Sequence, residues 1–201
     1  MELSIYLTMN HTPQIKKAIQ FAARKHHGHL RIDSGPLPYV THLFSTALLV
    51  AEDGAEDDVV CAALLHDTIE DTDTRREELV EAFGEHVAEL VEHVSEKKTD
   101  ADGQKLDWKE RKTRYLAHLE EAPADALLIA IADKIDNLES KLEAYEREGA
   151  AFLSGWPRPQ NEYLWFHGEA ARIAQMRLPE HRLTKRLIEA HEREKAELAG
   201  K

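Results

Sequence analysis

The sequence predicts an all-α protein. Apolar side chains recur at intervals of three and four residues along most of the 201-residue chain, as they do on the buried faces of helices. Almost no stretch shows the strict alternation of apolar and polar residues that marks a half-buried strand. Residues that begin and end helices divide this pattern, so we expect a compact bundle of about eight to ten helices.

Start and stop signals place the helices in order. Thr12-Pro13 opens the first, with a capping residue followed by proline in the first turn. Gly54 closes the second, and Gly84 separates two short amphipathic helices. After the helix that begins at Thr12-Pro13, helices are predicted over 39–53, 57 to about 67, 75–83, 85–95, 108–120, 125–147, 160–177 and 179–198, with loops over 28–38, 96–107 and 149–159.

Composition limits the classes of function. The 38 acidic residues outnumber the 26 basic ones, and the resulting net charge of −12 argues against general affinity for nucleic acids. No apolar run approaches the roughly 20 residues that span a bilayer, and residues 1–10 lack the pattern of a signal peptide. The single cysteine, Cys61, cannot form an internal disulfide. We expect a cytoplasmic protein with one domain over residues 1–201, a core at about 13–147 and C-terminal helices at about 159–198.

A histidine-aspartate pair stands where a buried helix should end. Residues 59–65 are apolar throughout, and His66-Asp67 follows them directly. Charged side chains at the end of such a run need a partner, and a metal ion is a natural one. Adjacent side chains diverge by about 100° on a helix, so both can hold one ion only if the helix ends or bends there. Residues 71–74 are typical of caps and turns, which fits that requirement.

Two further residues complete a candidate ligand set. His42 stands among apolar residues one turn into a helix, and Asp133 ends the apolar run 127–132. Each has an ordinary alternative, because a histidine can be satisfied inside a core and Asp133 can pair with Lys134. Their order along the chain, together with His66-Asp67, favours a metal site. Two imidazoles and two carboxylates suit Mn²⁺, Fe²⁺, Zn²⁺ or Ni²⁺ better than Ca²⁺.

This ordered set resembles the signature of the HD phosphohydrolase superfamily. Within it, the chain is most similar to the hydrolase domain of RelA/SpoT proteins and to the stand-alone, Mesh-type small alarmone hydrolases. The motifs that carry the resemblance are Phe21-Ala22-Ala23-Arg24-Lys25-His26, Arg31, Pro38-Tyr39-Val40-Thr41-His42, Ala62-Ala63-Leu64-Leu65-His66-Asp67-Thr68-Ile69-Glu70-Asp71-Thr72 and Ala132-Asp133-Lys134-Ile135-Asp136-Asn137-Leu138. It covers about residues 13–145 and implies an HD-domain helical bundle with a C-terminal helical extension.

The resemblance also implies roles for individual residues. By similarity, one Mn²⁺ would be ligated by His42, His66, Asp67 and Asp133. Glu70 and Asp71 would orient or activate the attacking water, and their position within about a turn of the ligand pair supports this. Their alternatives are a solvated acid and a helix cap. Substrate contacts are expected from Arg31, Tyr39 and Asn137 by similarity, and from Lys97 and Lys98, whose cations suit distal phosphates unless they form an ordinary solvated face.

The implied reaction is removal of the 3′-pyrophosphate from an alarmone, either (p)ppGpp or the adenosine analogue (pp)pApp, by metal-activated water. Two departures from the family pattern keep other activities open: Ile32 and Ala130 stand where relatives commonly carry lysine. The alternatives are 5′-nucleotide dephosphorylation, removal of the 2′-phosphate from an NADP-like dinucleotide, and nucleotide binding without catalysis.

The C-terminal third carries weaker signals. The aromatic-rich segment 161–167 is predicted to pack into the core, with a lid over the site or a homodimer contact as alternatives. Trp108 is expected to pack rather than to stack on a base. His181 and His191 are expected to be solvated.

Overall fold

Helices make up nearly the whole architecture. The structure is a computed structural model that describes residues 11–31 and 35–198, so predictions about residues 1–10 and Ile32 lie outside the described residues. Within those ranges there are eleven α-helices and two isolated β-bridges, which confirms the all-α prediction. The helices are α1 (Pro13–Lys25), α2 (Val40–Ala51), α3 (Asp57–Leu65), α4 (Thr68–Asp71), α5 (Arg76–Phe83), α6 (Glu85–Val94), α7 (Trp108–Glu121), α8 (Ala124–Glu148), α9 (Ala150–Ser154), α10 (Gln160–Arg177) and α11 (Arg182–Leu198).

Capping residues fix several of these boundaries. The Thr12 hydroxyl accepts a hydrogen bond from the Ile15 backbone N–H at 3.3 Å, and the Asp107 carboxylate caps α7 in the same way through Glu110. Gly84 ends α5 and begins α6 at a φ of +91°, a conformation that favours glycine. The predicted boundaries agree within two residues for most helices. Two short helices were missed, and α11 begins three residues later than expected.

The third helix forms the centre of the core. Every residue from Val59 to Leu65 is buried, and α1, α2, α6 and α8 pack around this helix. A helix that is apolar on all sides is stable in water only when other helices surround it. The end of α3 therefore delivers the residues that follow it into the interior of the protein.

The C-terminal helices pack against the same frame. α11 lies along α8, and α10 contacts α7, α8 and α11. The Trp108 ring of α7 meets the rings of Tyr163, Trp165 and Phe166 with centroids 5.7–6.3 Å apart. Trp108 and Phe166 are buried, which confirms that Trp108 packs and that the aromatic segment contributes to the core.

A buried ionic cluster joins α8 to α10 and α11. The Glu194 carboxylate, with no exposed surface, lies 2.8 Å from Lys141 Nζ, 2.9 Å from His167 Nδ1 and 3.2 Å from His191 Nδ1. The expectation that His191 is solvated is wrong. Residues 182–198 are too polar for the sequence to show that one charged stripe faces inward, where Lys141 offers a counter-charge.

The helices of the described ranges include none with the length and apolar character needed to cross a membrane.

Candidate metal centre and active site

Three helices of the core bring the predicted ligand residues together. His42 lies in the first turn of α2, His66 and Asp67 follow α3, and Asp133 lies within α8. α3 ends at Leu65, and His66 and Asp67 form a turn before the short helix α4, with φ −94° and ψ −1° at Asp67. This bend satisfies the condition that adjacent side chains face one point.

The ligand atoms of these residues lie close enough for one ion. His42 Nε2 is 3.1 Å from Asp133 Oδ1 and 3.6 Å from Asp67 Oδ2. His66 Nε2 is 3.1 Å from Asp67 Oδ2 and 3.8 Å from Asp133 Oδ1. Metal–ligand bonds of about 2.0–2.2 Å place neighbouring ligand atoms roughly 3–4 Å apart, so the spacing suits a first-row divalent cation.

The second nitrogen of each imidazole is held by the protein. His66 Nδ1 lies 2.8 Å from the Ala63 carbonyl oxygen, and His42 Nδ1 lies 2.5 Å from Asp136 Oδ2. We assign a proton to each Nδ1, since a carbonyl and a carboxylate only accept. Each Nε2 then presents a lone pair to the cluster. His66 Nε2 is buried and has no hydrogen-bond partner within the described ranges, so the centre offers a donor atom that only a cation or a proton would satisfy.

Charge in the cluster is arranged to hold a cation. Burial alone would lower the pKa of His66, but Asp67 and Asp133 outweigh it and raise that pKa. Burial alone would raise the pKa of Asp133, but Lys134, His42 and His66 hold it well below its usual range. Lys134 Nζ contacts Asp133 Oδ2, so the ordinary pairing foreseen for Asp133 does form. Oδ1 meanwhile faces the imidazoles.

Three of the predicted substrate-binding residues are connected to the predicted ligands by hydrogen bonds. The Tyr39 hydroxyl donates to Asp67 Oδ2 at 2.6 Å, and its ring stacks on His26 with centroids 5.1 Å apart. Asn137 donates to Asp133 Oδ1 at 2.5 Å and accepts a hydrogen bond from Arg31 at 3.2 Å. Tyr39 and Asn137 therefore touch the carboxylates of two predicted ligands directly, and Arg31 is one hydrogen bond further away.

Two carboxylates and a lysine form the rim of the centre. Glu70 and Asp71 lie on α4, one turn past the histidine-aspartate pair. Lys98 Nζ donates to Asp71 Oδ1 at 2.8 Å and lies 3.5 Å from Glu70 Oε1. Burial, followed by the charge of Asp67, raises the pKa of Glu70. A carboxylate with a raised pKa is a better proton acceptor, which suits Glu70 to act on a water molecule.

Lys97 lies elsewhere. It is exposed and lines a 620 Å³ cleft between α6 and α7, together with Arg111 and His118. None of the four predicted ligands lines this cleft. The structure thus brings Lys98, and not its neighbour, to the acidic rim.

Sequence reasoning missed two residues that hold the centre. Asp136 binds His42, and the backbone N–H of Glu96 donates to Glu70 Oε2 at 3.0 Å. Asp136 could have been found, because it follows Asp133 by three positions and so lies near the same helix face. Nothing in the sequence points to the contact of Glu96.

Residues 18–152 match the HD domain family, described as "HD domain". The chain belongs to the HD-domain family. The matched region contains all the ligand residues described above and ends near α9.

Several relatives of this HD domain carry a common name. The chain is 38% identical over 130 residues to a guanosine-3′,5′-bis(diphosphate) 3′-pyrophosphohydrolase of Aquifex aeolicus, covering 65% of this chain but only 18% of that protein. It is 39% identical over 126 residues to the MESH1 protein of that name from Xenopus tropicalis, covering 62% of this chain and 67% of the relative.

A solved structure extends the likeness beyond the matched family region. The structure of a metazoan ortholog of SpoT, described as hydrolysing ppGpp and acting in starvation responses, superimposes with a TM-score of 0.75 at 26% sequence identity. The superposition covers 92% of this chain and 98% of the other. Most of the C-terminal helices therefore have counterparts in that structure.

Proposed function

We propose that this chain removes the 3′-pyrophosphate from a guanosine alarmone such as ppGpp, using a divalent metal ion held by His42, His66, Asp67 and Asp133. The convergence of these side chains beside Glu70 carries the proposal. The two relatives compared above, which are 38% and 39% identical to this chain, are named for this activity, and this supports the choice of substrate.

We propose Mn²⁺ as the ion, with Fe²⁺, Zn²⁺ and Ni²⁺ as candidates for the same mixed nitrogen and oxygen donors. An ion bound there would supply a Lewis acid that polarises a phosphoryl oxygen and lowers the pKa of bound water. Asp136 and Ala63 would keep the imidazoles turned toward it, because each accepts a hydrogen bond from the far ring nitrogen.

The remaining chemistry falls to the acidic rim. The reaction adds a water oxygen to the phosphorus bonded to the ribose 3′-oxygen, breaks that P–O bond and returns a proton to the 3′-oxygen, giving GDP and pyrophosphate from ppGpp. Glu70 would accept the proton from the attacking water, and Asp71 would help to fix the direction of attack. Lys98, which contacts both acids, is placed to neutralise charge on the pyrophosphate as it leaves.

Arg31, Tyr39 and Asn137 would hold the nucleoside. Arg31 and Asn137 offer guanidinium and amide groups at the wall of the centre, and Tyr39 offers an aromatic ring. We also propose that residues 1–201 form one domain. α10 packs on α7 and α8, α11 packs on α8, and α8 is the helix that carries Asp133 and Asn137.

A substrate panel tests the proposal. Purified protein with Mn²⁺ is incubated with ppGpp, pppGpp, their adenosine analogues, 5′-nucleotides and NADP⁺, and pyrophosphate and phosphate are measured separately. We expect pyrophosphate from ppGpp, and nearly none from Asp67→Ala. If the protein releases only phosphate, from a 5′-nucleotide or from NADP⁺, the proposed reaction is wrong and the corresponding phosphatase activity takes its place. Tight nucleotide binding without release of either product would indicate a non-catalytic module.

A further inference from the structure

The segment that follows α6 lies against the turn that carries the acidic rim. The Ser95 hydroxyl is 3.5 Å from the His66 carbonyl oxygen, the Glu96 backbone N–H donates to Glu70 Oε2 at 3.0 Å, and Lys98 Nζ donates to the Glu70 carbonyl oxygen at 3.0 Å. Residues 95–98 thus contact both ends of the segment from His66 to Asp71. The position of this segment decides where the Glu70 carboxylate points.

The side chain of Glu96 anchors that segment. Only 4% of it is exposed, which is unusual for a carboxylate at the start of a polar loop. Arg111 lies 3.0 Å from one carboxylate oxygen and Lys112 contacts the other. Both cations belong to α7, which also packs against α10. A buried carboxylate is tolerated only with such partners, so Glu96 ties the loop firmly to α7.

We propose that Glu96 is a positioning residue for hydrolysis, acting through Glu70. Its carboxylate, held by Arg111 and Lys112, fixes the backbone N–H that holds Glu70 Oε2. When Glu96 is truncated, the segment is released from α7 and the Glu70 carboxylate loses its fixed direction. We expect the predicted ligand atoms to stay in place, because the segment contacts only the backbone carbonyl of His66, and the imidazoles and carboxylates of the centre are held by other residues. This inference rests on the proposed function, in which Glu70 accepts a proton from water.

The geometry sets the size and the kind of effect. Misplacement of a reacting group by about 1 Å can lower turnover by roughly 100-fold. We therefore expect Glu96→Ala to lower kcat by about 10- to 100-fold, with KM changed less than threefold and the metal content unchanged. A merely structural role would instead lower the amount of folded protein and leave kcat per folded molecule unaltered.

A double-mutant cycle tests the route through Glu70. In a Glu70→Gln background, Glu96→Ala should have almost no further effect on kcat, because the group that it positions is already disabled. Glu120→Gln is the matched control, since it breaks an exposed ion pair between Glu120 of α7 and Arg172. Undiminished kcat in Glu96→Ala, or losses that multiply in the double variant, would overturn the proposal. If Glu96→Ala does not fold, Glu96→Gln carries the same decision, because it keeps the size and removes the charge.

A crystal structure of the Glu96 variant separates this inference from the proposed function. We expect Glu70 to have left its 3.0 Å contact with the residue 96 nitrogen while the four ligand residues stay in place. A variant structure with the Glu70 contact intact would refute the positioning role, whatever substrate the wild-type protein hydrolyses. Failure of the wild-type protein to release pyrophosphate would instead refute only the proposed reaction.

Discussion

The ion pair between Lys141 and Glu194 provides the most direct test of how the C-terminal helices are held. Substituting Glu194 by glutamine keeps the size of the side chain and removes its charge. Lys141 then remains with 1% of its side chain exposed and no carboxylate beside it. Its Nζ lies 4.9 Å from the ring centroids of Trp156 and Tyr163. Cation–π attraction to these rings offsets part of the stability lost with the carboxylate.

The expected destabilisation follows from this burial. Breaking a buried ion pair by removing one partner costs about 3–5 kcal/mol, because an uncompensated charge is left inside. For a chain of this size, each kcal/mol lowers Tm by about 2–4 °C, so we expect Glu194→Gln to lower Tm by roughly 6–20 °C. Adding Lys141→Met to the Glu194→Gln background removes the stranded cation and should restore about 1–3 kcal/mol.

Urea unfolding followed by circular dichroism measures these changes. The matched control is Glu139→Gln, which breaks the partly exposed pair between Glu139 of α8 and Arg186 of α11. Because exposed ion pairs contribute little, this control should change the free energy of unfolding by less than about 1 kcal/mol. If Glu194→Gln is no more destabilising than Glu139→Gln, or if Lys141→Met deepens its loss, the reasoning about the buried pair is wrong.

Three further predictions concern the metal centre, the acidic rim and the response to pH. Asp136→Asn weakens the acceptor that holds His42 Nδ1, so we expect metal affinity to fall about 10- to 100-fold in a competition assay with a chelator. Unchanged affinity would show that Asp136 does not support His42 as a ligand. Lys98→Ala should lower kcat/KM for pyrophosphate release by about 10- to 150-fold, which is the loss expected for a hydrogen bond between charged groups. Lys97→Ala should change kcat/KM less than threefold. Equal effects of the two substitutions would contradict the placement of the two lysines. Burial lowers the pKa of His167 in the folded protein, so its contribution to stability is present above about pH 6.5 and is lost as the pH falls through the folded value. The free energy of unfolding of His167→Gln should therefore decline less steeply than that of the wild type below pH 6.5, by up to about 1.4 kcal/mol per pH unit, and parallel curves from urea unfolding would refute this.

Much of the fold could be read from the sequence because its helices are amphipathic or wholly apolar. The apolar run 59–65 showed where the central helix lies, and the cap residues at 71–74 showed that it must end near His66-Asp67. The helices α4 and α9 were missed because they contain four and five residues, too few for a period of 3.6 to appear. The late start of α11 reflects local turn geometry near Pro179, which spacing does not report.

The candidate site was predictable to the extent that it consists of short-range patterns. His42, His66 and Asp133 could be chosen because each interrupts or ends an apolar stretch, and the structure places their ligand atoms within 4.8 Å of one another. The contact of Glu96 with Glu70 spans 26 residues and runs through a backbone N–H, which every residue except proline possesses. The burial of His191 and Glu194 likewise depends on Lys141, a partner about 50 residues away in the chain. Such pairings depend on tertiary packing and leave no local mark.

The proposed activity depends most on a single divalent ion held between α2, α3 and α8. Elemental analysis after dialysis with Mn²⁺ measures it directly, on the wild type, on His66→Ala and on His118→Ala, which changes an exposed histidine of α7 that contacts His93 and none of the predicted ligands. We expect about one ion per wild-type chain, the same for His118→Ala, and almost none for His66→Ala with its helical content intact. A wild-type protein that retains no divalent ion, or a His66→Ala variant that retains as much as the wild type, would contradict the account.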